Sequence, residues 1–332
     1  MSALQILLLA SSGTTVVGQE MVLPQSRDPG RLKVDRVAPP PDLSTAGPGF
    51  VWEVRGMAHP VYLAGSVHYL PPKDSTPLPE PILMAMDRVE RVVFEFNPEE
   101  EGKPANAAAL RAIAGMPNGK TNLWHEVQPE TRRLLDQLCP DRSTRDQIAG
   151  YAPWMAAIHL HSLKMKELGY PAASGLEQVL WKIAARKRVR IEGLLPPDTH
   201  ARLFGDLPWE RQEQFLVSTL HSFADADQSI RDMAAAWRTG NSRHVEAELK
   251  KSSQLDDFFY RRLIEDRNRD WVGKIKKFGQ EGPATLVVVG CMHLAGPQSL
   301  QRKLARSGLS PRPVMERKTL TRGEPVHAPQ AR

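Results

Sequence analysis

At 332 residues and 37.0 kDa, the chain is long enough for one large α/β domain or two modest ones, and it needs no covalent staples to hold a core. Hydrophobic residues at 41%, charged residues at 25% and a mean hydropathy of −0.39 exclude a multi-span membrane protein and wholesale disorder. The net charge of +6 would suit an anionic partner, but the tail from Pro311 holds five basic and two acidic residues, so half of that surplus belongs to a chain end.

In chain order, Leu4 to Ala10 form a short apolar run followed by small and polar residues, with no Lys or Arg before Arg27. The run is too short to span a bilayer. With Val16-Val17-Gly18 before Gln19 as a cleavage site, it predicts a signal peptide over residues 1–20 and an exported, periplasmic or extracellular protein, cytoplasmic location being the alternative. The two cysteines, Cys139 and Cys291, leave the compartment open. Residues 21–49 carry Pro24, Pro29, Pro39, Pro40, Pro41 and Pro48 and read as a proline-rich linker. Residues 311–332 read as a flexible basic tail, which leaves a folded domain over 50–310.

Within that domain, Val51 to Arg55 alternates as a half-buried strand and Val61 to Val67 is apolar throughout, a hairpin. A helix around Ile82 to Val89 then leads to a strand from Arg91 to Phe96. Helical patterns dominate from Ala105 to Ala185, with segments predicted at Pro129–Leu138, Ser143–Leu168 and Ser174–Arg186. Arg188 to Leu194 is a weaker strand, followed by helices at Pro208–Ser222, Ala226–Gly240 and Ser253–Phe278. Thr285 to Val289 is the strongest strand, apolar and β-branched enough to be covered on both faces. The expected architecture is an α/β fold: a central mixed β-sheet with helices on both faces and a large helical insertion.

The two most apolar strands end alike, as Gly65-Ser66-Val67-His68 and Gly290-Cys291-Met292-His293. Either histidine alone would be an ordinary buried imidazole with its hydrogen bonds made. Recurrence at two central strands points instead to a site, because open α/β sheets place ligands at the carboxyl ends of their strands, and the motif glycines Gly65 and Gly290 permit close backbone approach. Glu95 closes a third apolar strand, where a carboxylate needs a cation or a proton. Two imidazoles with carboxylates suit a divalent transition metal with a position left for water.

Those motifs resemble the TraB/GumN family, which includes the TIKI metalloproteases. The resemblance runs from Trp52 to about Gly308 through Tyr62-Leu63-Ala64-Gly65-Ser66-Val67-His68, Val92-Val93-Phe94-Glu95, Pro153-Trp154, Ser174-Gly175-Leu176-Glu177, Arg267-Asn268 and Val289-Gly290-Cys291-Met292-His293-Leu294. It implies a metal-dependent hydrolase acting on a peptide or small-molecule substrate with manganese, cobalt or zinc. His68 and His293 would bind the ion with Glu95, or Glu95 would act as base. Glu177 is a second candidate for ligand or base. Arg267 would clamp a substrate carboxylate or steady an oxyanion, with Asn268 as a neutral donor beside it. The chain departs from the family at Leu195, where Gly-Leu-Glu is usual, unless Glu192 substitutes, and at His200, where Gln is common.

Competing chemistries lack their motifs: there is no Gly-x-Ser-x-Gly elbow, Walker loop or His-Glu-x-x-His. Cys291 beside His293 raises a thiol nucleophile, without an oxyanion-hole signature to accompany it. A non-catalytic peptide- or signal-binding protein of the same fold is the other reading. Arg186, Lys187, Arg188 and Arg190 close a helix, where cations favourably meet its dipole, so no nucleic-acid partner is expected.

Overall fold

The computed structural model describes residue 43 and residues 46–315, apart from 102, 117–120, 140 and 256. The expected signal peptide, nearly all of the linker and the tail beyond 315 lie outside the described residues, as does the side chain of His200.

Six strands form one mixed sheet, β1 Val51–Arg55, β2 Val61–Ser66, β3 Arg91–Phe94, β4 Arg190–Gly193, β5 Thr285–Gly290 and β6 Ser310–Pro313, in the order β4-β3-β5-β2-β1-β6. Strands β4, β3, β5 and β2 run parallel to one another, whereas β1 is antiparallel to both β2 and β6. Every residue of β2, β3 and β5 is buried, the signature of strands covered on both faces. The sheet runs past the predicted domain edge at 310: Pro311 is buried and pairs with Val54. Proline lacks a ladder donor, and β6 lies at the sheet edge, where that loss is tolerated.

With single-turn segments left unlabelled, the helices are α1 Glu80–Arg88, α2 Pro104–Ala114, α3 Pro129–Leu138, α4 Arg142–Ile148, α5 Pro153–Glu167, α6 Leu176–Lys187, α7 Thr199–Gly205, α8 Trp209–His221, α9 Ala226–Thr239, α10 Ser242–Leu255, α11 Asp266–Gln280 and α12 Leu300–Arg306. Proline opens several of them, at Pro104, Pro129 and Pro153, where its missing N–H costs nothing. That preference corrects one expectation. The helix predicted over Ser143–Leu168 is two helices, because Pro153 starts α5 and Tyr151 pairs with Gly115 in an isolated bridge. Likewise β4 begins at Arg190, since Arg188 takes the left-handed conformation that ends α6. The predicted Ser253–Phe278 helix overlaps the end of α10 and then α11, which follows a π-helical turn at Arg261–Glu265. No helix among the described residues is long and apolar enough to cross a membrane.

Candidate functional site

Parallel pairing sets the two histidine motifs side by side. Gly65 is the register partner of Val289 and Ser66 that of Gly290, so both motifs leave the sheet at the same end. β3 lies on the other side of β5 and delivers Glu95 to that end. Gly65 is required by proximity: a Cβ there would sit 2.7 Å from the Phe50 Cβ and 3.1 Å from the Cys291 Cα. The indole N–H of Trp237, on α9, donates to the Gly65 carbonyl at 2.8 Å and anchors the first motif from above.

Around His68 the partner is α6. Its first turn is stitched to the loop after β2, with the Leu176 N–H donating to the Val67 carbonyl at 3.0 Å and the Ser174 hydroxyl to the Leu70 carbonyl at 2.7 Å. Gly175 allows this approach, since a Cβ would run into the His68 carbonyl. Glu177 thereby reaches His68, its Oε1 lying 2.7 Å from Nδ1 and 2.5 Å from the Ser66 Oγ, which donates to it. Burial pushes the Glu177 carboxyl up, but His68 and the Ser66 hydroxyl outweigh it and hold the group below its ordinary value. A carboxylate only accepts, so the His68 Nδ1 carries a hydrogen and donates it to Glu177.

Around His293 the partner is α11. The Asn268 amide donates from Nδ2 to the carbonyls of His293 at 3.2 Å and Gln298 at 2.9 Å, which fixes which end of the amide is nitrogen. Its Oδ1 therefore faces the His293 Nδ1, 2.6 Å away, and accepts from it. This ring, too, carries its hydrogen on Nδ1. Its Nε2 is buried without a hydrogen-bond partner, 3.7 Å from Glu95 Oε1. Burial, reinforced by Arg267 and His68 and opposed by Glu95, lowers the His293 pKa to about 3.

Glu95 is held from two sides: Oε2 takes the Arg267 guanidinium at 2.5 Å and Oε1 the Gly290 N–H at 2.7 Å. Burial works against its charge, yet Arg267, His293 and Gly290 bring its pKa down to about 2. Arg267 in turn stacks on Trp271, 4.5 Å from the ring centre, and the same indole lies 4.6 Å from the His293 ring. The π turn immediately before α11 is a form that recurs at functional sites.

The residues picked from the sequence meet in two groups, His68 with Glu177 and His293 with Glu95, Arg267 and Asn268, and several hold other posts than expected. Arg267, expected on substrate, is bonded to Glu95, and Asn268 serves His293. Glu95, with its pKa brought down to about 2, is too weakly basic for the general-base role. Glu192 points away from the site, paired with Arg190 at 2.7 Å and Arg91 at 3.7 Å near the opposite strand ends, so it does not replace the missing carboxylate. Leu195 does stand beside the site, its N–H donating to the Glu95 carbonyl at 3.0 Å. The Cys291 thiol, pushed up to about 12 by burial and then by Glu177, contacts the Met233 sulfur at 3.9 Å and is no ready nucleophile. Ser66 and Trp271 were missed; Ser66 lay inside the motif, but its partner is distant in sequence.

An open α/β sheet with paired histidine loops at the carboxyl ends of adjacent strands defines the class. The chain belongs to the TraB/PrgY/gumN family, whose model matches residues 50–313. No curated protein and no solved structure matches it.

Fit to a divalent ion can be judged on the donors themselves. Both imidazoles give their Nδ1 hydrogen to a side-chain oxygen, the arrangement that metal-binding histidines show. The His293 Nε2 lone pair faces an ionised carboxylate at 3.7 Å, and ligand atoms on a tetrahedral ion stand roughly 3.4 Å apart. Among the described residues no three His, Cys, Asp or Glu side chains are grouped as a metal cluster. The fit is one of donor chemistry and of one ligand pair.

Proposed function

We propose that the protein is a metal-dependent hydrolase with peptides as its substrate class. The observation that carries this reading is the buried Nε2 of His293, held as a lone-pair nitrogen by Asn268 and aimed at the Glu95 carboxylate with no hydrogen between them. Two electron-rich atoms so placed repel unless a cation joins them. Peptides enter through the resemblance to the TIKI metalloproteases.

On this reading His293 and Glu95, the pair already within reach of one another, would hold the ion, and His68 would join them as a third ligand. A bound divalent ion supplies Lewis acidity, polarising a scissile carbonyl and making water acidic at neutral pH. Glu177, with side-chain exposure of 21% against 6% for Glu95, is the carboxylate nearer solvent, and it orients His68 through Nδ1. Arg267 keeps Glu95 ionised and in place. Its Nε, buried with no hydrogen-bond partner, is the donor left for a developing oxyanion.

Calorimetric titration of metal-stripped full-length protein with Mn(II), Co(II) and Zn(II) tests the reading, followed by a peptide-library digest with and without chelator. Binding of about one ion per chain, lost in His293→Ala, and chelator-sensitive cleavage are expected. Absence of ion binding would overturn it. A second reading, a non-catalytic peptide-binding protein, is favoured by Leu195, an apolar residue whose backbone meets that of Glu95 where the resemblance leads one to expect a carboxylate. Peptide capture without cleavage by the metal-loaded protein would select it.

A further inference from the structure

We infer that Ser66 is a positioning residue of this site: its hydroxyl pins Glu177 so that His68 presents Nε2. The inference deepens the reading above and rests on it for the purpose of that nitrogen, though not for the geometry. Ser66 is 2% exposed, and its Oγ donates to the same oxygen, Glu177 Oε1, that faces His68 Nδ1. Glu177 approaches from the first turn of another element and is partly exposed, so its carboxylate could otherwise swing to water. The serine hydroxyl is fixed by the strand, since Ser66 is the last residue of β2 and the register partner of Gly290. A rigid donor on the sheet therefore fixes a movable acceptor on a helix, and that acceptor fixes the tautomer of an imidazole two residues along the chain. The hydroxyl donates to a carboxylate, and this separates the arrangement from a serine nucleophile whose proton goes to an imidazole base.

The test is nitrogen NMR of the His68 ring in metal-free full-length protein, where the two ring nitrogens report the tautomer directly. Wild type is expected to show the Nδ1–H form alone. Ser66→Ala should show a mixture with the Nε2–H form, and Glu177→Gln, which keeps the shape and weakens the acceptor, should shift the ring the same way. Calorimetry with Mn(II), Co(II) or Zn(II) should show affinity reduced about tenfold in Ser66→Ala, the lower end for residues that orient a ligand. An unchanged tautomer in Ser66→Ala would overturn the inference, whatever Glu177→Gln shows. If no ion binds to wild type but the tautomer shifts as described, the metal reading fails and the positioning role of Ser66 stands.

Discussion

The two histidines close the same four-residue motif, yet one is held by a carboxylate near solvent and the other by a neutral amide in a sealed interior. His68 and Glu177 have side-chain exposures of 14% and 21%, whereas His293 and Asn268 have none. The buried end can be held only by groups that cancel one another's charge: Asn268 is neutral, and Glu95 is matched by Arg267. The exposed end can keep a carboxylate because water helps to solvate it. One half of the site is therefore built for fixed geometry and the other for traffic.

That contrast can be broken most severely at Glu95. Glu95→Gln leaves the Arg267 guanidinium buried without its counter-charge, and urea unfolding of the metal-free protein should show a loss of about 3–5 kcal/mol. Asn268→Asp makes the two ends chemically alike. It keeps an oxygen for the His293 Nδ1 but removes both N–H donors from the His293 and Gln298 carbonyls, with an expected loss of about 1–3 kcal/mol in the same assay. Gly175→Ala pushes α6 off the His68 carbonyl and should cost a similar ~1–3 kcal/mol, with a shifted His68 ring signal as its local sign. The smallest change in stability belongs to Glu177→Gln, within about 1 kcal/mol because the pair is partly solvated. Its effect on peptide cleavage should nevertheless be about 10–100-fold, measured as kcat, because His68 loses the acceptor that orients it. A Glu177 variant as unstable as the Glu95 variant would remove the distinction between the ends.

Much of this was legible without coordinates because it depends on short-range pattern. The β-branched run Thr285–Val289 and the apolar run before Gly65 had to be covered strands, and each carried its histidine to the strand end. Pro153 also announced a helix start, and the single long helix predicted there failed by giving apolar periodicity precedence over proline. The strand at Ser310–Pro313 was hidden because three of its features, two prolines and little apolar surface, argue against a strand except at an edge.

What the sequence determined by itself is five of the six strands, the paired motifs and the need of Glu95 for a cation or a proton, since burial and charge cost are properties of the residues in line. Tertiary structure alone decided who answers that need. Arg267 lies 172 positions from Glu95, and Glu177 lies 111 from Ser66, so nothing local couples them. Hydrogen bonds act over about 3 Å whatever the chain separation. Only the parallel order of β3, β5 and β2, with α6 and α11 docked at their ends, brings the donors and acceptors within that reach.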